Sequence, residues 1–168
     1  DRYTPSEILV KMNDELIRIL HQDQDGAIQD GMDMSICLID KRSKKIHFAG
    51  ARNGLLIFEN NEFRKYKADL LPVGGNYTKK GKPIERSFKN VEVDLADDAW
   101  VIMYTDGYIE QTGKEGLPMN SKQFEERLRK ALEKDRSEDI VMVSQIELAR
   151  WQGLNDRNDD ICVIGFKL

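Results

Sequence analysis

Cysteine and histidine are scarce, two of each in 168 residues, and neither pair forms a recognisable motif. Cys37 and Cys162 lie in apolar, strand-like runs with no C-x-x-C spacing, and read as small core hydrophobes of a reducing compartment. His47 alternates with Ile46 and Phe48 along a strand and His21 sits at a helix end, so no Ser-His-Asp or Cys-His arrangement finds local support. There is no G-x-x-x-x-G-K-[ST] phosphate loop, no internal repeat and no low-complexity tract. No apolar stretch reaches the roughly 18 residues that span a membrane, and no charged-then-apolar leader precedes the fold. The module therefore reads as cytoplasmic, without direct membrane insertion, although upstream domains could anchor its parent. Lysine and arginine number 26 against 30 acidic residues and are scattered along a chain of net charge −4, which speaks against nucleic acid or another polyanion as partner.

A chain of this length is one domain by prior, residues 1–168, and long enough to bury a core. It begins with Asp1 and reads as an excised piece of a larger polypeptide. Thr4-Pro5-Ser6-Glu7 is a capping box with proline at the first helical position. Ile8, Leu9, Met12, Leu16, Ile19 and Leu20 follow at helical spacing, which predicts about five turns with one apolar face. His21 to Asp30 is polar and expected to be mobile.

Strand signals come next. Met34 to Ile39 and Lys45 to Ala49 flank a hairpin turn at Asp40 to Lys44; Leu55 to Phe58 and Glu62 to Tyr66 flank Asn60-Asn61, where asparagine tolerates positive φ. Leu71 to Pro83, with its prolines and glycines, reads as a surface flap. Ser87 to Val93 and Trp100 to Tyr104 predict a further antiparallel pair. Two helices are expected over Ser121 to Glu133, with Phe124, Leu128, Ala131 and Leu132 inward, and over Ser137 to Trp151, carried by Ile140, Val141, Val143, Ser144, Leu148 and Trp151. A strand from Ile161 to Leu168 closes the chain. Hairpins followed by helices argue an α+β fold with antiparallel sheets. Apolar runs such as Val101 to Tyr104 suggest that each sheet packs against a second sheet and a helical layer.

The chemistry concentrates in two aspartate clusters at strand ends. Val101-Ile102-Met103-Tyr104-Thr105-Asp106-Gly107 ends in one, and Asn158-Asp159-Asp160 runs into Ile161 to Phe166. Taken alone, Asp-Gly is first a turn signal and Asn158-Asp159-Asp160 an ordinary loop. Two features point further. Tyr108 to Gly113 does not resume a paired strand, and neighbouring carboxylates repel unless a cation compensates. Carboxylates on a sheet rim suit Mg²⁺ or Mn²⁺ and phosphoryl chemistry. Asp33 reads as a solvated strand start rather than a third acidic group. Arg52-Asn53-Gly54 is a turn, in which the arginine could face a phosphate.

The blocks Asp30-Gly31-Met32-Asp33-Met34, Phe48 to Gly54, Leu71-Pro72-Val73-Gly74, Tyr104-Thr105-Asp106-Gly107 and Asp159-Asp160-Ile161 resemble, in order and spacing, the metal-dependent type 2C serine/threonine protein phosphatases. The likeness is to their bacterial branch, similar to the sporulation stage II protein E phosphatase domain. The resemblance implies an antiparallel β-sandwich flanked by helices, two Mn²⁺ or Mg²⁺ ions at one end of the sheets, Asp106 and Asp159 as metal ligands, and Gly107 as the point where backbone approaches the site. The activity it implies is hydrolysis of phosphoserine or phosphothreonine in a signalling protein such as an anti-sigma-factor antagonist.

Two family motifs, an aspartate before Phe-Tyr and another shortly before Gly-His-Gly, do not occur here, and Arg52 stands where relatives carry a small or polar residue. The chain thus resembles the C-terminal two-thirds of such a domain, with N-terminal strands missing. Partial or no metal occupancy, little activity on its own and self-association through exposed edges are the corresponding expectations. The alternatives are a catalytically silent sensing or scaffolding module, and a sandwich domain whose acidic loops hold a structural Ca²⁺.

Overall fold

The computed structural model describes residues 3–24, 29–79, 82–132 and 137–167. In chain order the elements are α1 (Pro5–Ile19), β1 (Gly31–Met32), β2 (Met34–Asp40), β3 (Lys45–Ala51), β4 (Leu55–Glu59), β5 (Glu62–Tyr66), β6 (Val73–Gly74), β7 (Thr78–Lys79), β8 (Lys82–Pro83), β9 (Val91–Asp94), β10 (Trp100–Tyr104), α2 (Gly107–Glu110), α3 (Ser121–Leu132), α4 (Ser137–Gln152) and β11 (Val163–Lys167). This is the expected α+β class, and every strand ladder with a described register is antiparallel. The residues gather into two compact units, Asp1–Leu56 with Lys65–Asp97, and Ile57–Arg64 with Asp98–Lys167.

In the first unit the capping box forms as predicted: Glu7 N–H donates to Thr4 Oγ1 at 3.4 Å, and Thr4 N–H donates to Glu7 Oε2 at 2.7 Å. The Thr4 hydroxyl also donates to Glu7 Oε2 at 2.9 Å, and the two bonds to this oxygen, backbone first, draw the exposed Glu7 carboxyl below its usual range. The helix is shorter than expected and its inward face differs. Pro5, Leu9 and Asn13 are buried and Leu16 packs against the core, while Ile19 and Leu20, at the helix end, are exposed. Leu9, Ala49, Ala51, Val73 and Phe88 form the core cluster, joined by Val10, Met12, Leu16, Met34 and Ile36.

The sheet order is β2-β3-β9, with Asp40 Oδ1 accepting from Arg42 N–H at 2.9 Å inside the predicted hairpin turn. β9 runs beside β3, not β10 as predicted. Leu95 N–H donates to Lys44 O at 3.0 Å, which holds the strand against β3 to its end. Lys45 Nζ, 2.5 Å from Glu92 Oε1, adds a cross-strand pair that lowers the Glu92 pKa.

Leu71 to Pro83 is not a surface flap throughout. Pro72 to Gly75 is buried, and β6 pairs with β1. Gly74 has φ +83°, and a Cβ there would lie 2.5 Å from Leu16 Cδ2, so both its conformation and its neighbour require glycine. Of the segment expected to be mobile, residues 25–28 lie outside the described residues. Gln22 is fully buried: its Nε2 donates to Asp30 O at 2.6 Å and its Oε1 accepts from Gly75 N–H at 2.8 Å.

The chain crosses into the second unit along β4 and returns along β5, through Asn60 and Asn61 at φ +50° and +62°, the turn conformation predicted for asparagine. The sheet order is β11-β10-β4-β5, with Trp100, Val101 and Ile102 buried in succession. α3 buries Phe124, Leu128, Ala131 and Leu132, the predicted set. In α4, Ser144 and Leu148 are buried; the Ile140 and Val141 side chains lie outside the described residues, as does Glu133. Phe124 packs against the rings of Tyr104 and Tyr108, each 4.8 Å away. Tyr108 Oη donates to Ser144 O at 2.9 Å, and burial pushes its pKa to about 12, so it stays a neutral donor. Among the described residues no helix is long and apolar enough to cross a membrane.

The two cysteines part company. Cys162 is exposed, against expectation, because the sheet ends before it, whereas burial pushes the Cys37 thiol to about 11 from 9.0. A disulfide-exchange reagent at pH 8 is expected to titrate Cys162 rapidly and the half-buried Cys37 much more slowly. Equal rates would place Cys37 at the surface. Since the folded state holds the Cys37 proton more tightly, this group's contribution to stability is complete below pH 9 and falls as pH rises towards 11.

Candidate functional site

The site begins where β10 stops. Thr105 N–H donates to Cys162 O at 3.0 Å; its hydroxyl donates to Asp160 O at 3.0 Å and accepts from Cys162 N–H at 2.9 Å. One threonine therefore pins the segment leading into β11 to the end of β10. Asp106 follows at the N-cap of α2. It is half-buried in αR conformation and makes no capping hydrogen bond, so its carboxylate is not consumed by the helix end it precedes.

Gly107 lies against the opposite loop. A Cβ at this position would overlap the Asp160 carbonyl and sit 3.3 Å from Asp159 Cβ. The absent side chain is what lets Asp106 and Asp159 share one strand end. Asp159 is exposed, and its Oδ1 accepts from Asp160 N–H at 2.7 Å, which steadies the carboxylate. The atoms a Cβ would strike are backbone and cannot swing away. Gly107→Ala is therefore expected to cost about 2 kcal/mol or more, seen as a lower melting temperature. Gly165→Ala, where a Cβ meets nothing within 4 Å, is the control. Equal melting of the two variants would show that the loops are loosely apposed.

Gln111 was not legible as a site residue. It is fully buried; its Nε2 donates to Asp156 O at 2.9 Å and to Asn158 Oδ1 at 3.2 Å, and its Oε1 accepts from Asn158 N–H at 3.2 Å. Its carbonyl accepts from Trp151 Nε1 at 2.8 Å. Asn158 Nδ2 donates to Thr112 Oγ1 at 2.8 Å. The residues immediately before Asp159 are thus fixed to the chain that follows α2. The available signal was an amide two residues past an apolar Tyr108-Ile109 pair, too weak to separate from a surface glutamine.

Asp33, in the first unit, lies between β1 and β2 with its carboxylate 3.6 Å from Arg52 Nη1. Arg52 itself has φ +65°, uncommon for a non-glycine residue, and its Nε donates to Leu70 O at 3.3 Å. The arginine of the predicted turn therefore meets an acidic side chain within its own unit.

Asp106 and Asp159 offer hard oxygen donors, which fit Mg²⁺ or Mn²⁺ in kind. They are a pair: among the described residues no three His, Cys, Asp or Glu side chains gather in a metal-sized group. What the second unit supplies is a rigid edge carrying two carboxylates, one half-buried and one exposed.

Comparison with solved structures gives the fold a context. The SiaA-PP2C domain of Pseudomonas aeruginosa superposes with a TM-score of 0.77 at 24% identity, over 98% of this chain and 61% of that one. The phosphatase domain of the cell fate determinant SpoIIE from Bacillus subtilis gives 0.59 at 18% identity, over 99% and 74%. The same domain presoaked with Mn gives 0.62 at 18%, over 96% and 64%. The chain thus spans 61% of the length of the SiaA domain, and these likenesses establish the type 2C phosphatase fold. Among curated proteins none matches the chain. A family model for Stage II sporulation protein E matches residues 1–168, the whole chain, which therefore belongs to that family of type 2C phosphatase domains.

Proposed function

We propose that the polypeptide containing this chain is a metal-dependent phosphoprotein phosphatase of a bacterial signalling pathway, acting on phosphoserine or phosphothreonine. The observation that carries this reading is the seating of Gly107 against Asp159 and Asp160, which brings the segments bearing Asp106 and Asp159 together at one strand end. Such a pair is repulsive alone and becomes favourable around a divalent cation.

In this reading Asp106 and Asp159 would hold the cation, Mn²⁺ or Mg²⁺, which supplies Lewis-acid stabilisation of the phosphoryl group and lowers the pKa of water. The chain's own residues do the rest. Gly107 keeps the two loops in contact, Thr105 ties the strand ends together, and Gln111 with Asn158 fixes the approach to Asp159. The Mn-presoaked crystal of the Bacillus subtilis domain supports the choice of cation. The substrate we favour is a phosphorylated signalling protein such as an anti-sigma-factor antagonist.

The test is release of inorganic phosphate from a phosphoserine peptide, with Mn²⁺ against EDTA, by this chain extended to the length of the matched domains. Mn²⁺-dependent release supports the proposal; equal rates with and without metal would overturn it. Ca²⁺ binding without turnover would favour the structural-ion alternative.

A further inference from the structure

Lysines and arginines that look scattered in the sequence converge in one place within the second unit. A groove of about 510 Å³ between α3 and α4 is lined by Lys114, Arg127, Lys130 and Arg150, with Glu147 and Trp151 among its walls. Four cations face Glu115 and Glu147 there, leaving a local excess of two positive charges on a chain whose net charge is −4.

The interior of the groove is built. Glu147 is buried and shared: Arg150 Nη1 donates to its Oε1 at 2.8 Å, while Lys130 Nζ and Arg127 Nε stand 3.8 Å and 3.9 Å from its Oε2. One carboxylate thus serves three cations, and at such distances only Arg150 has a full hydrogen bond to it. Arg127 is held in place by its stack on Trp151, 4.9 Å from the ring, and by donation from Nη1 to Gln123 O at 3.1 Å. Its Nε is buried and makes no hydrogen bond.

We propose that this groove docks an acidic segment of a partner polypeptide, one carrying Asp or Glu side chains. Arg127 and Lys130 lie one turn apart on α3, Arg150 on α4 and Lys114 on the loop before α3; three of them already share Glu147, and the charge left over is presented from two helices and a loop, so the carboxylates of one extended chain can meet it from several sides. Lys130 and Arg150, 65% and 73% exposed, reach the incoming chain, and Arg127 with Trp151 gives it a fixed wall. The proposal is independent of any metal at Asp106 and Asp159.

Trp151 provides the readout, because the second tryptophan, Trp100, is only 4% exposed. Titrating the full chain with hexaglutamate is expected to change tryptophan fluorescence saturably, with affinity falling as salt rises. Lys130→Glu and Lys114→Glu should each weaken binding about tenfold while leaving the melting temperature in place. If one variant misfolds, the other carries the test. Absence of saturable binding would overturn the proposal, as would wild-type affinity in a folded variant. So would equal binding of a thymidine hexanucleotide, which would make the groove a nucleic-acid surface, or the same response to inorganic phosphate, which would make it a small-anion site.

Discussion

Asp106→Asn and Asp159→Asn are each expected to lower kcat for a phosphoserine peptide by at least ~10²-fold in the chain extended to full domain length, because a neutral amide no longer holds the activating cation. Both changes are isosteric, and the structure shows that neither need disturb the fold. Asp106 makes no capping bond to lose, and the bond from Asp160 N–H to Asp159 Oδ1 can be kept by the asparagine carbonyl. Melting temperature in EDTA should therefore hold or rise slightly, since one of two neighbouring like charges is gone. Asp33→Asn, whose carboxylate sits beside Arg52, should cost much less activity. Near-normal turnover in Asp106→Asn or Asp159→Asn would remove that residue from the site. A clearly lower melting temperature of either variant in EDTA would assign that aspartate to a structural role in its turn instead.

The part of this site that could be read from sequence was the part with a local signature. Tyr104-Thr105-Asp106-Gly107 and Asn158-Asp159-Asp160 announce themselves as strand ends, and the structure joins them through Thr105 and Gly107. Gln111 could not be read in the same way, because its importance comes from partners 45 and 47 residues away. The same division runs through the fold. α3 was legible to the residue because its buried positions repeat at helical spacing with no competing contact. In α1 the apolar pattern continued past the sheet it packs on, so Ile19 and Leu20 finished in solvent while polar Asn13 went inside. The pairing of Val91–Asp94 failed for a related reason. A strand followed by a short polar turn and another strand looks like a hairpin, and only the folded chain, with Val91–Asp94 paired antiparallel to Lys45–Phe48 and Leu95 N–H donating to Lys44 O, reveals that β9 is committed to β3.

Buried polar residues are the most hidden from sequence and carry the largest stability effect expected here. Arg86 is 9% exposed; its Nη2 donates to Gly74 O at 2.9 Å and Gly75 O at 3.0 Å, its Nε to Asn13 Oδ1 at 3.3 Å, and its guanidinium stacks 4.6 Å from the Tyr77 ring. Its described partners are carbonyls and an amide, and burial lowers its pKa. Methionine fills similar volume and removes the cost of burying the charge, yet it leaves two interior carbonyls without their donor. Charge-assisted bonds of this kind contribute about 1.5–3 kcal/mol each, so Arg86→Met should lose roughly 3 kcal/mol net. In a chain of this length that is a fall of roughly 10 °C in melting temperature. Arg86→Lys should lose nearly as much, because an ammonium cannot span both carbonyls and Asn13 with the fixed fork of a guanidinium. Arg18→Met, at a side chain 70% exposed whose partner Glu15 is itself 60% exposed, serves as the surface control and should change stability by less than about 1 kcal/mol. Should Arg86→Met melt with that control, the Gly74–Gly75 segment would be held by Asn13 and Gln22 alone, and the arginine would be a passenger in the core.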